Sequence, residues 1–162
     1  MGSPRWLADE MVGRLARYLR FAGCDTVYVR GLTDEEILDE ARREDRVILT
    51  RDRRLAGRAP RSLLLTSPFI ADQWREVRAA YPGIPSTVTF DRCTECNGSL
   101  VRVPPSSPPS GPSVPVDGVP WDRVALGLEL YRCSACNHYY WEGSHTADVR
   151  ARLARWAQEP PP

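Results

Sequence analysis

Two Cys-x-x-Cys pairs, Cys93–Cys96 and Cys133–Cys136, constrain this chain more than any other feature. A tetrahedral zinc ion takes four thiolates, and a two-residue gap lets one tight turn deliver two of them. The contexts match: Cys93-Thr94-Glu95-Cys96-Asn97-Gly98 and Cys133-Ser134-Ala135-Cys136-Asn137-His138. Asn-Gly after the first pair supplies the positive-φ residues that a knuckle or hairpin turn needs. The expectation is a zinc ribbon of two β-hairpins, with Cys93, Cys96, Cys133 and Cys136 holding a structural zinc. A redox dithiol would need only one pair. Four filled positions leave no need for His138 or His145 as ligands. His145, in Trp141-Glu142-Gly143-Ser144-His145, either caps a closing helix or touches a phosphate. Residues 103–120 join the ribbon halves and hold seven prolines, so they read as an extended or disordered loop. Cys24 reads as a small core residue.

Upstream of the ribbon, strand and helix patterns alternate. Trp6-Leu7-Ala8 is a short apolar run ending at Asp9-Glu10. Met11, Leu15, Tyr18, Leu19 and Ala22 then fall at helical spacing, and Gly23 is a natural stop. Val27-Tyr28-Val29 is a second strand. Thr33 and Glu36 form a capping box before a helix that buries Ile37, Leu38 and Ala41. Val47 to Thr50 reads as a strand buried on both faces, ending in the polar Arg51-Asp52. Leu63-Leu64-Leu65 predicts a fourth strand, and Phe69, Ile70, Trp74 and Val77 another helix. Thr87 to Phe90 predicts a strand leading into the first cysteine pair. Leu130-Tyr131-Arg132 leads into the second, and a helix from Thr146 closes the chain with Val149, Leu153 and Trp156. Such alternation argues for an α/β fold with a parallel sheet covered on both faces, over residues 5–88. Residues 89–157 carry the ribbon and closing helix.

Parallel sheets bind ligands at the carboxyl ends of their strands. Asp9 follows the first strand, Asp34 the second, and Asp52 the third, so all three can converge on one edge. They are either a site for a divalent cation or unrelated solvated turn residues. Oxygen ligands suit magnesium or manganese, and two such ions would clamp a phosphodiester in hydrolysis. Arg14, Arg51, Arg53, Arg54 and Arg58 surround these positions and could hold an anionic backbone. Glu10, Glu36 and Asp72 are weaker candidates, Glu36 being explained by its cap and Asp72 by the first turn of its helix.

Composition narrows the chemistry. All 22 basic residues are arginine, which excludes every mechanism needing a lysine. Walker-type nucleotide hydrolysis falls on that ground, as does a receiver-type phospho-acceptor role for Asp52. Net charge is +1, so no global field announces a nucleic-acid partner. No apolar run is long enough to span a membrane, and no apolar signal region leads the chain. A soluble cytoplasmic protein is expected.

Taken together, several motifs resemble the Mut-seven C-terminal family, PIN-like ribonuclease domains fused to a C-terminal zinc ribbon. They are Leu7-Ala8-Asp9-Glu10-Met11, Gly13-Arg14-Leu15-Ala16-Arg17-Tyr18-Leu19-Arg20, Gly23-Cys24-Asp25-Thr26, Val47 to Asp52, Arg92-Cys93 to Gly98, and Tyr140-Trp141-Glu142-Gly143-Ser144-His145. The resemblance covers roughly residues 5–155. It implies a PIN-like three-layer α/β/α fold and metal-dependent cleavage of RNA. It maps the family's acidic positions onto Asp9, Asp34 and Asp52 with magnesium or manganese. It maps the zinc ligands onto Cys93, Cys96, Cys133 and Cys136. Arg14, Arg51, Arg53 and His145 are expected to contact RNA, which the ribbon would bind or present. Some bacterial relatives carry an N-terminal ubiquitin-like domain. Here the first strand begins almost at Met1, so that protein partner is expected to be absent or cut away. The alternative class is a non-catalytic RNA- or protein-binding module with a vestigial acidic site.

Overall fold

The computed structural model describes residues 4–104, 120–160 and 162. Most of the expected proline-rich loop, 105–119, lies outside the described residues. Strands β1 (Trp6–Ala8), β2 (Thr26–Tyr28), β3 (Val47–Thr50) and β4 (Ser62–Leu64) form one parallel sheet in the order β2-β1-β3-β4. Helices α1 (Gly13–Phe21), α2 (Asp34–Arg43) and α3 (Arg53–Arg58) connect them, and α4 (Ile70–Ala80) follows β4.

Side chains alternate across a strand, so a doubly covered strand must be apolar on both faces. Trp6, Ala8, Val47 and Leu49 enter one buried cluster, whereas Leu7 and Ile48 enter another. The first cluster takes in Leu15 and Leu19 of α1 and Trp74 and Val77 of α4. It also takes in Val149, Leu153 and Trp156 of the closing helix α6 (Ser144–Gln158). The second packs Ile37, Leu38 and Ala41 of α2 with Leu55 of α3. The result is the three-layer α/β/α arrangement around a parallel sheet that the sequence predicts.

The strand order fixes where a site can open. From β1 the chain crosses to β2 on one side; from β3 it crosses to β4 on the other. The loops after β1 and β3 therefore diverge and leave a crevice beyond the carboxyl ends of those two strands. Asp9 and Asp52 follow those strands.

Local chemistry sets the element ends. Gly23, at φ 81°, ends α1 in a Schellman turn: its N–H bonds the Arg20 carbonyl at 2.9 Å and that of Cys24 bonds Leu19 at 2.9 Å. Space also demands glycine, since a Cβ there would lie 2.4 Å from Thr89 Oγ1. The capping box of α2 forms as expected, with Thr33 N–H donating to Glu36 at 2.7 Å.

Several boundaries differ from expectation, the second strand being Thr26–Tyr28 rather than Val27–Val29. The fourth strand is Ser62–Leu64, one residue earlier, and Leu65 is buried just beyond it. Residues Thr87 to Phe90 form no strand. Phe90 takes φ 56°, which breaks extended pairing, and stacks on Tyr131 at 4.8 Å. Helix α6 starts at Ser144 rather than Thr146. Thr146 lies inside its first turn, where its hydroxyl accepts from Gly143 N–H at 2.7 Å and donates to the Gly143 carbonyl at 2.8 Å.

A second sheet is antiparallel, in the order β5 (Leu100–Arg102), β6 (Leu130–Cys133), β7 (Tyr139–Trp141). A short helix, α5 (Trp121–Ala125), precedes β6. No helix among the described residues is long and apolar enough to cross a membrane.

Candidate functional site

The four paired cysteines meet. The Sγ atoms of Cys93, Cys96, Cys133 and Cys136 all lie within 4.8 Å of one another. Cys93 stands 3.6 Å from Cys136, and Cys96 stands 3.4 Å from Cys133. Zinc–sulfur bonds of about 2.3 Å put tetrahedral thiolates roughly 3.8 Å apart, so the cage has the right size. None of the four is in a disulfide. Asn97 and Asn137, each after a pair, take φ 68° and 62°. That curls each knuckle so that backbone N–H groups face sulfur: Gly98 to Cys96 at 3.4 Å, Ala135 to Cys133 at 3.4 Å. Gly98 is required for room, because a Cβ would lie 2.8 Å from the Cys133 sulfur. Tyr140 Oη is 3.0 Å from Cys93 Sγ. Burial pushes the Cys93 thiol up. The hydrogen bonds from Tyr140 and from the Cys96 and Glu95 backbone outweigh it and bring it down to about 7. Four thiols this close could hold a metal ion such as zinc.

This knuckle is clamped to the amino edge of the parallel sheet. Arg20, buried at the end of α1, donates to the Thr26 carbonyl at 2.8 Å and to those of Thr94 and Glu95 at 3.0 Å. Asn97 accepts from Thr26 N–H at 2.9 Å and donates to Asp25 at 2.8 Å. Asp25 also receives Arg46 at 2.7 Å and Arg5 at 3.2 Å. Burial alone would push the Asp25 carboxyl up; the bonds from Arg46, Asn97 and Arg5 instead hold it at about 2. The roles of Arg20, Asp25 and Arg46 carry no sequence signature, since each reads there as a flanking polar residue.

At the opposite, carboxyl edge, Asp9, Glu10, Asp34 and Asp52 line one small cleft with Leu55 at its floor. Asp9 is 4% exposed. Its carboxylate accepts from Met11 N–H at 2.9 Å and from the Thr50 hydroxyl. Burial raises its carboxyl above the ordinary range. The bonds from Thr50 and Met11 oppose this, while the charges of Asp52 and Glu10 reinforce it. Asp9 forms no ion pair among the described residues. Asp52 caps α3, accepting from Arg54 N–H at 2.7 Å and Leu55 N–H at 3.3 Å. Asp34 opens α2 and pairs with Arg58 at 3.2 Å. The cleft thus gathers the three expected acids, with Glu10 as a fourth. Their oxygens are not packed as tightly as the thiols: among the described residues only the cysteines form such a group.

The basic candidates divide. Arg51 follows β3 with its Nε buried and unpaired, and Arg53 begins α3 in the open. Arg14 and His145 instead line a cleft between α1 and α6. His145 is exposed, edge-on to Phe21 at 5.9 Å, and Thr146 rather than His145 closes the helix start.

A family model described as the Mut7-C RNAse domain matches residues 4–153. No curated protein and no solved structure matches the chain. With nearly the whole chain matched, parallel sheet and cysteine cage included, this protein belongs to the Mut7-C RNAse domain family.

Proposed function

We propose that the protein is a magnesium- or manganese-dependent ribonuclease whose zinc ribbon binds RNA. The observation that carries this reading is Asp9. It is a buried carboxylate at the β1/β3 crevice, flanked by Asp52 and Glu10, with no cation beside it among the described residues. Its partners are a hydroxyl and an amide, which orient the carboxylate without neutralising it. Such a donor set fits a hard divalent ion.

Asp9 and Asp52 would hold the ion, with Asp34 and Glu10 at its margin. When bound, the ion would lower the pKa of a water and offset charge on the phosphodiester. Thr50 keeps Asp9 in place, and Asp52, anchored by the α3 amides, retains lone pairs for the cleft. Arg51 and Arg53 would hold substrate phosphate beside it. The zinc would be structural, since four thiolates leave no open position. Reduced thiolates suit the cytoplasm.

A second reading rests on Asp34 and Asp52, which are engaged by Arg58 and by α3 respectively. In that reading the acidic edge is vestigial and the protein only binds RNA or protein. Cleavage of labelled single-stranded and structured RNA with manganese decides between them. The native protein should cut, and Asp9→Asn and Asp52→Asn should each cut at least about a hundredfold more slowly, beyond the loss of an outer-shell partner. Equal rates in all three proteins would remove the nuclease reading.

A further inference from the structure

We infer that a groove between α1 and α6 carries single-stranded RNA from the ribbon to the acidic edge, an extension that rests on the nuclease reading. Two adjoining clefts share Arg17, Phe21 and His145, so they form one continuous channel. One wall is α1, with Arg14, Arg17, Tyr18 and Phe21 at helical spacing on one face. The other is α6, with His145, Asp148, Val149 and Arg152 at the same spacing. The positions i, i+3, i+4 and i+7 on both helices make this a two-sided groove, not a scatter of surface residues.

Its charge suits a phosphate backbone. Arg14, Arg17 and Arg152 are exposed along it, against Asp148 alone in this part. Arg14 makes no ion pair among the described residues. Glu95 and Glu142 line the ribbon end, where Glu95 pairs with Arg17 at 3.0 Å and Glu142 with Arg150 at 2.7 Å, so the groove cations left without an ion pair among the described residues are Arg14 and Arg152.

The ribbon end adds a surface for bases. Tyr139 and Trp141 of β7 line it, and the Arg123 guanidinium lies 5.4 Å from the centre of the Trp141 ring. Aromatic and arginine planes stack unpaired bases without sequence preference. Stacking of this kind requires bases out of a duplex, so the occupant is single-stranded.

One wall of the groove begins at the acidic edge. Helix α1 follows Asp9 and the single turn Glu10–Val12 directly, so its first turn, with Arg14, stands at the carboxyl edge. Its far end, at Phe21, meets the ribbon. Nine residues span about 13 Å, room for a few nucleotides.

The test is fluorescence anisotropy with a fluorescein-labelled single-stranded RNA of roughly eight nucleotides, in the site-size range of such grooves. It uses the zinc-loaded full chain without manganese. Arg14→Glu with Arg152→Glu should weaken binding at least about tenfold and lower the salt slope by about 1.4, two phosphate contacts' worth. Arg42→Glu with Arg43→Glu, an equal charge change on α2, should leave binding within about twofold. Circular dichroism and zinc content establish that both variants fold. Equal loss in the two double variants, no loss in either, or no RNA binding by the native protein each overturns the groove. The last outcome would give the surface to a protein partner. Manganese-dependent cleavage of a dinucleotide separates this inference from the nuclease reading. Cleavage of the dinucleotide by the native protein, alongside binding of the longer RNA lost in Arg14→Glu/Arg152→Glu, supports both. RNA binding lost in Arg14→Glu/Arg152→Glu alone, with no cleavage by the native protein, supports the groove and removes the nuclease.

Discussion

At the amino edge of the parallel sheet, Asp25 meets Arg5, Arg46 and Asn97; at the carboxyl edge, Asp9 meets a hydroxyl, an amide and two more acids. The same side chain, partly or wholly withdrawn from water, is driven in opposite directions. Asp25 is held at about 2, and Asp9 is pushed up. One edge spends its charges on holding two parts of the molecule together. The other leaves a charge unsatisfied, as sites that wait for a cation do.

The largest effect should come from the metal. Structural zinc in small ribbons supplies about 10–16 kcal/mol of apparent folding free energy. Metal analysis should find about one zinc per chain. The ribbon has little core of its own, with Leu130, Cys93 and Cys133 its chief buried residues. Chelation, or Cys133→Ser, should therefore strip hydrogen-exchange protection from β5 to β7 while β1 to β4 keep theirs. Loss of protection in both sheets together would show the clamp at the amino edge to be obligatory.

Breaking the clamp itself comes next. Asp25→Ala removes the nearest carboxylate of Arg46, only 5% exposed, and leaves it Glu44 at 3.2 Å; loss of one partner from such a buried hydrogen-bonded set costs about 1–3 kcal/mol. Denaturant unfolding should read that loss. Because the Asp25 carboxyl is depressed in the folded protein, its contribution is complete above the ordinary aspartate range and disappears as pH falls toward 2. Acid titration of native stability should show that limb, and Asp25→Ala should lack it.

A smaller change tests the cage. In Gly98→Ala the new methyl group crowds the Cys133 and Cys96 sulfurs. Competition with a chelator should show zinc affinity reduced about tenfold, with the α/β unit unaffected.

The smallest effect has the opposite sign. Asp9 has a raised carboxyl, so its ionisation opposes folding once pH rises through that range. Asp9→Asn should therefore raise the melting temperature at neutral pH, without divalent ions, by about 2–4 °C. The gain should vanish in acid, where Asp9 is protonated anyway. A melting temperature lowered at neutral pH would mean that Asp9 is a structural acid, like Asp25. On the proposed nuclease reading, cleavage by the native protein should rise with pH through the same raised range, since only the ionised carboxylate would hold the ion.

Several features were legible because they depend on neighbours in the chain. Trp6 to Ala8 and Val47 to Thr50 lack polar residues inside the strand because both faces are covered. Thr33 and Glu36 satisfy each other within one turn. The knuckles need only a two-residue gap and an asparagine that tolerates positive φ. Thr87 to Phe90 misled because β-branched residues also suit an isolated extended segment. Only the docking of Val88 into the core and the φ of Phe90 settle that stretch. Helix α3 was missed because six residues carry too little periodicity. Arg14 was read beside the acids; it stands at their edge of the sheet and lines the groove with α6, whose partner helices no local pattern could name.

The sequence by itself determined the layered fold, the four thiols and the acids that follow strands, since these rest on periodicity, spacing and capping. Tertiary structure alone decided that ribbon and acids occupy opposite edges, with α6 packed across α1 and α4 between them. Long-range contacts such as Arg20 to Thr94 and Asn97 to Asp25 join residues far apart in the chain. Local propensity carries no information about such pairs, because their free energy appears only once the chain has closed on itself.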